Sequence, residues 1–423
     1  MLTPGKDQSL AAGFRWLFAG SVATALSQWG SLAIIARVST PAILSAYALA
    51  LSVASVAFAL GNLELRTLQV TDHSGSIPFA SYFRLRWLTS LVALTGCVLF
   101  ALVPAQGSVF AMAMLAVAVN RSVDSLSDIL YGRLQIAGQL HRIGLSQLLR
   151  GAFTLVALPA ALWAGVPPAT ALAAPALGSL AVFCLYDVPG IRKEGIRLCW
   201  RQPLIGDHLR ELVRAGGPLT VVAALVAASA ALPRLVSARD GDPGMAGVVT
   251  ALTYLTVAPN LVMTSLGQAG MRKLAASAAA GNRRGYLGGV LRLAGLGAAV
   301  GAVVLAGGIL AGPQLLQLFY GRRFAAHEQE LLYFLSAGLL SYLNTGIGYS
   351  LSSARIFQAQ VPMMAAVCLT SFVACSAWIP RYGIAGAASG WAAALALQLF
   401  WGSALVWQAR PVTSTQREAL STL

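Results

Sequence analysis

The chain has 423 residues, of which 57% are hydrophobic and only 10% are charged, and its mean hydropathy is +0.72. A soluble domain carries about 25% charged residues, so this chain has too few charges to cover a globule of its size. The composition excludes a soluble enzyme, a fibrous protein and a disordered protein, and it predicts a polytopic membrane protein.

The net charge is +15, from 29 Lys and Arg residues against 14 Asp and Glu residues. In a soluble protein this excess would indicate nucleic-acid binding. In a membrane protein it indicates cytoplasmic loops that face anionic lipid. The placement of the basic residues favours the second interpretation, so membrane lipids are predicted partners and nucleic acid is not.

A membrane-spanning helix needs about 20 mostly apolar residues, and twelve windows of the sequence meet that requirement. None shows the alternation of apolar and polar residues that is typical of a barrel strand, and backbone groups in lipid must then be satisfied within helices. The sequence therefore predicts an all-α membrane protein with about twelve transmembrane helices. The windows are 14–36, 43–61, 86–105, 108–127, 149–166, 169–186, 217–236, 245–266, 286–311, 330–351, 361–379 and 384–408.

The basic residues are distributed unevenly between alternate connections. If the N-terminus is cytoplasmic, 23 of the 29 Lys and Arg residues lie on the cytoplasmic side and 6 lie outside. This bias is the positive-inside pattern, and it predicts that both termini are cytoplasmic. The outer connections are short, which weighs against a membrane glycan polymerase or ligase with a large outer loop.

The longest cytoplasmic connection is expected from Asp187 to Gly216, and it separates six spans from six. The two halves show weak internal sequence similarity, because Ala36-Arg37 precedes a proline just as Ala238-Arg239 does. We therefore predict two six-helix lobes related by a pseudo-twofold, residues 1–200 and 201–423. This arrangement is typical of transporters with internal repeats.

No enzymatic motif is present. The four histidines lie far apart, the five cysteines form no CxxC pair, and there is no GxSxG, P-loop or HExxH sequence. The chain is therefore predicted not to be an enzyme and to need no cofactor and no metal. Without an ATP-binding motif, any transport would be passive or driven by a gradient.

Charges near the ends of the spans are the strongest functional candidates, because a charge at membrane depth is costly. Arg37 and Arg234 end the first spans of the two halves on the side where arginine is disfavoured. Two arginines facing one cavity would hold a phosphate by bidentate hydrogen bonds. Anchoring to lipid phosphate is an equal alternative for Arg37.

The fourth span carries a charged face, since Arg121, Asp124 and Asp128 are spaced i, i+3, i+7. The two acids are expected near the cytoplasmic end of this span. For Arg121, Arg133 and Arg150 we prefer salt bridges within the helix and snorkelling to the surface.

Four segments resemble the sequence signature of one known family. Residues 62–86 carry LR-x-x-Q-x-x-D followed by F-x-x-Y-x-x-x-R, and residues 128–151 carry D-x-x-Y-G-x-x-Q followed by S-x-x-x-RG. Residues 233–254 carry PR followed by G-x-x-x-x-L-x-Y, and residues 321–327 carry G-x-x-F-A-x-H. The chain resembles bacterial polysaccharide-biosynthesis membrane proteins of the O-antigen flippase type, within the multidrug, oligosaccharidyl-lipid and polysaccharide exporter superfamily.

This resemblance implies a function and a location. The expected activity is movement of an undecaprenyl-pyrophosphate-linked oligosaccharide across the bacterial inner membrane, by alternating access through a cationic cavity between the lobes. The expected partners are this lipid-linked oligosaccharide and other membrane proteins of polysaccharide assembly. Positions within the matching segments assign substrate binding to Arg37, Arg66, Arg234 and Arg355, and coupling or gating to Glu64, Asp124 and Asp128.

Two alternatives remain open from the sequence. A multidrug or small-molecule antiporter of the same superfamily would favour an apolar, acid-lined cavity, whereas the charges at the span ends include more arginines than acids. A membrane glycan polymerase or ligase is the third possibility, and the short outer connections argue against it.

Overall fold

The computed structural model describes residues 4–71, 77–103, 107–193, 206–242, 244–354, 356 and 358–408. Within this part of the chain the regular structure is entirely helical. Short non-α turns lie at Phe183–Asp187, a π-helical turn, and at Arg322–His327, a 3-10 turn. The α-helices are α1 Pro4–Val38, α2 Pro41–Asn62, α3 Leu65–Thr71, α4 Phe79–Ala101, α5 Gly107–Ile136, α6 Leu140–Trp163, α7 Pro168–Ala171, α8 Ala174–Val182, α9 Val188–Lys193, α10 Gly206–Asp240, α11 Met245–Tyr254, α12 Val257–Ala279, α13 Arg283–Tyr320, α14 Glu328–Ser353 and α15 Gln360–Gln408.

The predicted membrane-spanning helices are present. Among the described residues ten helices are long and apolar enough to cross a membrane, and an eleventh span arises if α11 and α12, which meet at 42°, form one bent helix. The 49-residue α15 contains the last two predicted windows, separated by a break at Gly383 with φ of 56°. The predicted all-α, multi-pass architecture is confirmed.

The chain divides into two compact units, residues 1–238 and 239–423. The lobe boundary predicted at 200/201 falls within residues 194–205, which lie outside the described residues. That boundary stays a prediction.

In the first unit, α1 packs along α6 through residues without side chains. A Cβ atom on Gly144 would clash with the carbonyl oxygen of Trp16, and one on Gly151 would lie 2.9 Å from the carbonyl oxygen of Ala23. Lipid supplies no hydrophobic drive for helix association, so close backbone contact between small residues provides the packing energy instead. The tight α1–α6 contact forms one side of the cavity described below.

The second unit holds its bent helices by tyrosine hydroxyls. Tyr342 donates to the carbonyl oxygen of Thr256 at 3.1 Å, at the break between α11 and α12. Tyr320 donates to the carbonyl oxygen of Ala251 at 2.8 Å, and Tyr286 to that of Ser350 at 2.9 Å. The Thr256 and Ser350 carbonyls also accept backbone hydrogen bonds, from Asn260 at 3.3 Å and from Ala354 at 3.1 Å. The tyrosine hydroxyls thus add hydrogen bonds between helices where lipid offers no partner.

Candidate functional site: a charged cavity in the first unit

The first unit encloses a cavity of about 420 Å³. Its walls come from α1, α2, α5, α6 and α8, and the short helix α3 contributes Arg66. Most of its lining side chains are polar, and burying hydroxyl, amide and charged groups in a membrane-spanning bundle costs free energy. The polar and charged lining residues are Thr24, Ser27, Gln28, Ser31, Tyr47, Ser55, Asn62, Arg66, Asn120, Arg121, Asp124, Ser125, Asp128, Tyr131, Gln147, Arg150, Thr154 and Ser179.

Helix α5 supplies the acids of the cavity. Its 30 residues extend to Ile136, well beyond the end of the predicted window at 127. Asp124 and Asp128 are therefore about 18 Å and 12 Å from the C-terminal end of the helix at 1.5 Å per residue. Both acids therefore lie within α5 and not at its end, and their position relative to the cytoplasmic surface stays a prediction.

Asp128 bridges two arginines from different helices. Its Oδ1 accepts a hydrogen bond from Arg66 Nη1 at 2.9 Å, and its Oδ2 lies 3.4 Å from Arg86 Nη2. The side chain of Arg86 in α4 is only 1% exposed, whereas Arg66 is 28% exposed. Asp128 thus neutralises a fully buried cation on one side and holds a cavity-lining cation on the other.

Arg86 is also held by amide and hydroxyl groups. Asn62 Oδ1, at the C-terminal end of α2, accepts hydrogen bonds from Arg86 Nη1 and, at 2.7 Å, from Ser125 Oγ. Ser125 in turn bonds the hydroxyl of Ser90 at 2.9 Å. A buried guanidinium needs several acceptors, and these contacts connect α2, α4 and α5 at the base of the cavity.

Arg150 joins two acids in the complementary arrangement. Its Nη1 lies 2.8 Å from Asp124 Oδ1, and its Nη2 lies 2.7 Å from Asp187 Oδ2 and also donates to Ser127 Oγ. Asp124 is 37% exposed on the cavity side, while Asp187 is 2% exposed. The arginine therefore connects the cavity surface to a deeply buried carboxylate on the neighbouring span.

Asp187 is the last residue of the π-helical turn Phe183–Asp187. The extra residue in a π turn rotates the following side chain relative to an α-helix, and such turns are frequent at functional sites. The span that contains it runs from Pro168 to Arg192. The sequence-based assignment of Asp187 to a cytoplasmic connection is wrong, because hydropathy alone ends a span at its first charged residue.

Two features place Arg66 beside Asp128. Gly132 lies one turn after Asp128 on α5, and a Cβ atom there would clash with Gln69 of α3 and lie 3.3 Å from Arg66 Cγ. The connection between α2 and α3 has left-handed backbone angles at Leu63 and Glu64, with φ of 46° and 47°. Such φ values are uncommon outside glycine, and here they mark the break between α2 and α3, which together form one span, Pro41–Val70.

An apolar cluster of residues supports this charged layer. It includes Leu65 of α3, Phe83 of α4, Leu130 of α5, Ile143 of α6 and Leu212 of α10. Close packing of these side chains keeps water and lipid away from the buried charges, so the ion pairs of Arg86 and Asp187 gain from a low local dielectric.

The predicted site residues fall in different places. Arg66, Asp124 and Asp128 line the cavity. Glu64 stands beside it in the α2–α3 connection and accepts a hydrogen bond from Thr67 Oγ1 at 2.9 Å. Arg133, which the sequence analysis grouped with Arg121 and Arg150, is on α5 but does not line the cavity.

Two of the other three predicted arginines, Arg37 and Arg234, do not line this cavity. Arg37 is exposed at the end of α1, and Arg234 is buried in α10, where its Nη2 donates to the carbonyl oxygen of Ala230 at 3.0 Å. Arg355 lies outside the described residues. Their substrate-binding role stays a prediction.

The expectation that Arg121 and Arg150 form salt bridges within their own helices is wrong. Asp124 pairs with Arg150 of α6 and not with Arg121 of its own helix. Arg86 and Asp187 were not recognised as candidates at all. The only sequence signal for Arg86 was its place in the F-x-x-Y-x-x-x-R motif, and Asp187 had none beyond a charge next to an apolar window.

Comparison with solved structures shows a transporter fold. The chain is similar to a multidrug resistance MATE family transporter of the MOP superfamily in an inward-facing conformation, with a TM-score of 0.69, 14% identity and coverage of 93% of this chain and 94% of the other. It is equally similar to the lipid II flippase MurJ in an inward closed conformation, with a TM-score of 0.70, 13% identity and coverage of 92% and 87%.

A MATE structure in complex with MaL6 gives a TM-score of 0.65 at 14% identity, covering 95% of this chain and 96% of the other. No family model and no curated protein sequence matches the chain. At these identities the likeness establishes the fold, and the chain has the fold of MATE transporters and MurJ.

Proposed function

We propose that the protein is a flippase that moves an undecaprenyl-pyrophosphate-linked oligosaccharide, a repeat unit of a polysaccharide, across the bacterial inner membrane. The observation that carries the proposal is the arginine-rich polar cavity of the first unit within a transporter fold. The structural neighbours of the same fold include a lipid II flippase, MurJ. A cavity with guanidinium groups offers bidentate donors that fit phosphate oxygens.

The arginines would offset the cost of dehydrating the pyrophosphate. Arg66 is the strongest candidate among the residues selected from the sequence, because it lines the cavity and is 28% exposed. Its Nη2 donates to Gln135 Oε1 at 3.0 Å and its Nη1 to Asp128. A phosphate that replaced either acceptor would keep the guanidinium paired, so binding would cost little of the existing interaction.

Transport would proceed by alternating access. The polar headgroup would enter a cavity while the polyprenyl tail remains in lipid, because transferring the tail into a polar cavity would lose its hydrophobic stabilisation. Both termini would be cytoplasmic, so that the basic connections contact the anionic inner leaflet. Other membrane proteins of polysaccharide assembly would supply and consume the substrate.

Coupling or gating would use the acids. Asp124 and Asp128 are each ion-paired and each more than one-third exposed, so a proton or a cation that reached them would compete with Arg150 or with Arg66. Release of an arginine from its carboxylate makes it available to an anionic substrate. Glu64 would act through the strained α2–α3 connection that carries Arg66.

A multidrug antiporter is the second candidate, and the MATE neighbours favour it. The acids Asp124 and Asp128 at the cavity surface are the groups that would attract a cationic drug. The arginines oppose this function, since Arg66 and Arg150 already neutralise both acids. Cation binding would require breaking both ion pairs, whereas an anion could replace Gln135 on Arg66 and leave the pair with Asp128 intact.

The test is export in a strain that lacks the gene. The lipid-linked oligosaccharide is quantified on each face of the inner membrane by the accessibility of its glycan to an impermeant oxidant. Accumulation on the cytoplasmic face, relieved by the wild-type gene, supports the flippase. Accumulation of a cationic dye inside the cells, with the lipid-linked oligosaccharide normally distributed, would favour the antiporter over the flippase. Unpolymerised repeat units on the outer face would indicate a polymerase or ligase.

A further inference from the structure

Arg121 differs from the other arginines of the cavity. Arg66 and Arg150 each lie within 3 Å of an aspartate, and Arg86 behind the wall also reaches Asp128. Among the residues that the structure describes, Arg121 has no carboxylate within ion-pair distance. The ion pairs of this cavity join Arg66, Arg86 and Arg150 to Asp124, Asp128 and Asp187, and Arg121 takes part in none of them.

The position of Arg121 makes this charge costly. It is the fifteenth residue of the 30-residue helix α5, which places it about 21 Å from either end at 1.5 Å per residue. An arginine side chain is too short to reach the headgroup region from there. An unpaired charge in the middle of a span, lining a cavity, indicates an anionic ligand.

The α1 wall of the same cavity offers acceptors. Ser27 and Ser31 donate their hydroxyl hydrogens to the carbonyl oxygens of Thr24 and Ser27, both at 2.8 Å, and Thr24 donates to that of Gly20 at 3.0 Å. Each hydroxyl hydrogen is therefore used within the helix. The oxygen atoms keep lone pairs that can accept from a ligand.

Two amide oxygens of the cavity lining also lack donors. Asn120 Oδ1 and Gln147 Oε1 are buried and receive no hydrogen bond from any described residue. Buried carbonyl oxygens in proteins are almost always paired. Together with the α1 hydroxyls they favour a ligand that carries several hydroxyl donors.

We propose that this cavity binds the sugar portion of the substrate, with Arg121 contacting an acidic group on that sugar. The ligand class is a sugar that carries a phosphate or a carboxylate, because its hydroxyls match the acceptors of α1, Asn120 and Gln147 and its acid matches Arg121. The inference rests on the proposed function for its biological substrate, but the binding chemistry stands on the cavity alone. Arg121 would thus discriminate acidic from neutral glycans.

The test uses the full-length protein, purified in detergent, and three soluble probes: glucose 1-phosphate, glucuronate and glucose. Binding is measured by the ligand-induced rise in melting temperature across a concentration series, since a ligand that binds only the folded state stabilises it by mass action. The first two probes distinguish phosphate from carboxylate as the acid. We expect the acidic probes to bind wild type more tightly than glucose.

Arg121→Gln should lower the affinity for the acidic probes about 10- to 100-fold, the usual effect of losing a hydrogen bond to a charged group. The affinity for glucose should not change. Arg121→Lys should recover part of the affinity. Arg381→Gln is the matched control, because Arg381 is exposed in the second unit and the substitution removes the same charge. The unliganded melting temperature of each variant establishes that it is folded.

Equal binding of acidic and neutral probes to wild type, or equal loss in Arg121→Gln and Arg381→Gln, would overturn the inference. The same variants are then assayed for export in the deletion strain. If Arg121→Gln loses acidic-probe binding but wild type exports no lipid-linked glycan, the site is retained and the flippase proposal fails. If wild type exports the glycan but no probe binds, the flippase is retained and this inference fails.

Discussion

Breaking the Asp124–Arg150–Asp187 triad should destabilise the first unit to an extent set by burial. Arg150→Met removes both ion pairs while keeping an unbranched chain of similar length. Asp187 would then be left unpaired with only 2% of its side chain exposed, and stranding a buried charge typically costs about 3–5 kcal/mol. Because a change of 1 kcal/mol shifts the melting temperature of a unit of this size by about 2–4 °C, we expect a decrease of about 10 °C.

Asp124→Asn is the matched control for this prediction. Asp124 contacts the same arginine at 2.8 Å, close to the 2.7 Å of Asp187, but it is 37% exposed. An exposed pair contributes only about 0–1 kcal/mol, so this variant should melt within a few degrees of wild type. The double variant Arg150→Met with Asp187→Leu removes both members of the buried pair and should recover most of the lost stability.

The assay is thermal unfolding of the purified full-length protein, followed by intrinsic fluorescence at one fixed heating rate because membrane proteins often unfold irreversibly. Similar decreases for Arg150→Met and Asp124→Asn would contradict the argument from burial. So would a double variant that melts as low as Arg150→Met, since that result would mean that lost packing and not the stranded carboxylate causes the effect.

Three further predictions concern other parts of the chain. Arg234→Ala should lower glycan export while protein level and topology stay normal, and unchanged export in the deletion strain would remove Arg234 from the substrate path. Gly144→Leu should lower the melting temperature and the yield, because the new side chain meets the carbonyl of Trp16, whereas Gly288→Leu, with no atom within 4 Å of its Cβ position, should have no such effect. Cys97→Ala and Cys368→Ala should both retain export, since we interpret these cysteines as packing residues, and loss of export in a stable variant would disprove that interpretation.

The charge arrangement explains how a membrane unit keeps so many ionised groups. Asp128 sits between two arginines and Arg150 between two acids, so the two triads carry opposite net charges of one unit each. Each deeply buried member, Arg86 or Asp187, is paired with a member that reaches the cavity. This arrangement connects the cavity surface to the core of the bundle, and a ligand that displaced Arg66 or Asp124 would leave Arg86 paired with Asp128 and Asp187 paired with Arg150.

Some of the site could be predicted from the sequence. The spacing of Asp124 and Asp128 places them on one face of a helix, and that face lines the cavity. Arg66 was selected because it follows the second span within a family-like motif. In each case the information is local, since a few residues of one segment and the helical period suffice.

The pairing could not be predicted. Arg66 meets Asp128 across 62 residues of chain, and Arg150 meets Asp187 across 37. Residues near the ends of different spans look equivalent in sequence, so Arg37 and Arg234 ranked with Arg66 although neither lines the cavity. The sequence spacing favours Asp124 as the partner of Arg121, whereas in the fold Asp124 pairs with Arg150 of another helix.

Hydropathy and helical period by themselves determined that this chain is a bundle of membrane-spanning helices with a charged face on one of them, because lipid allows only internally bonded segments of fixed minimum length. Tertiary structure alone decided which charges are neutralised. The distances between helices are set by the close α1–α6 packing, the left-handed connection at Leu63-Glu64 and the π-helical turn that ends at Asp187. Ion pairing depends on those distances to within about an ångström, and no single segment encodes them.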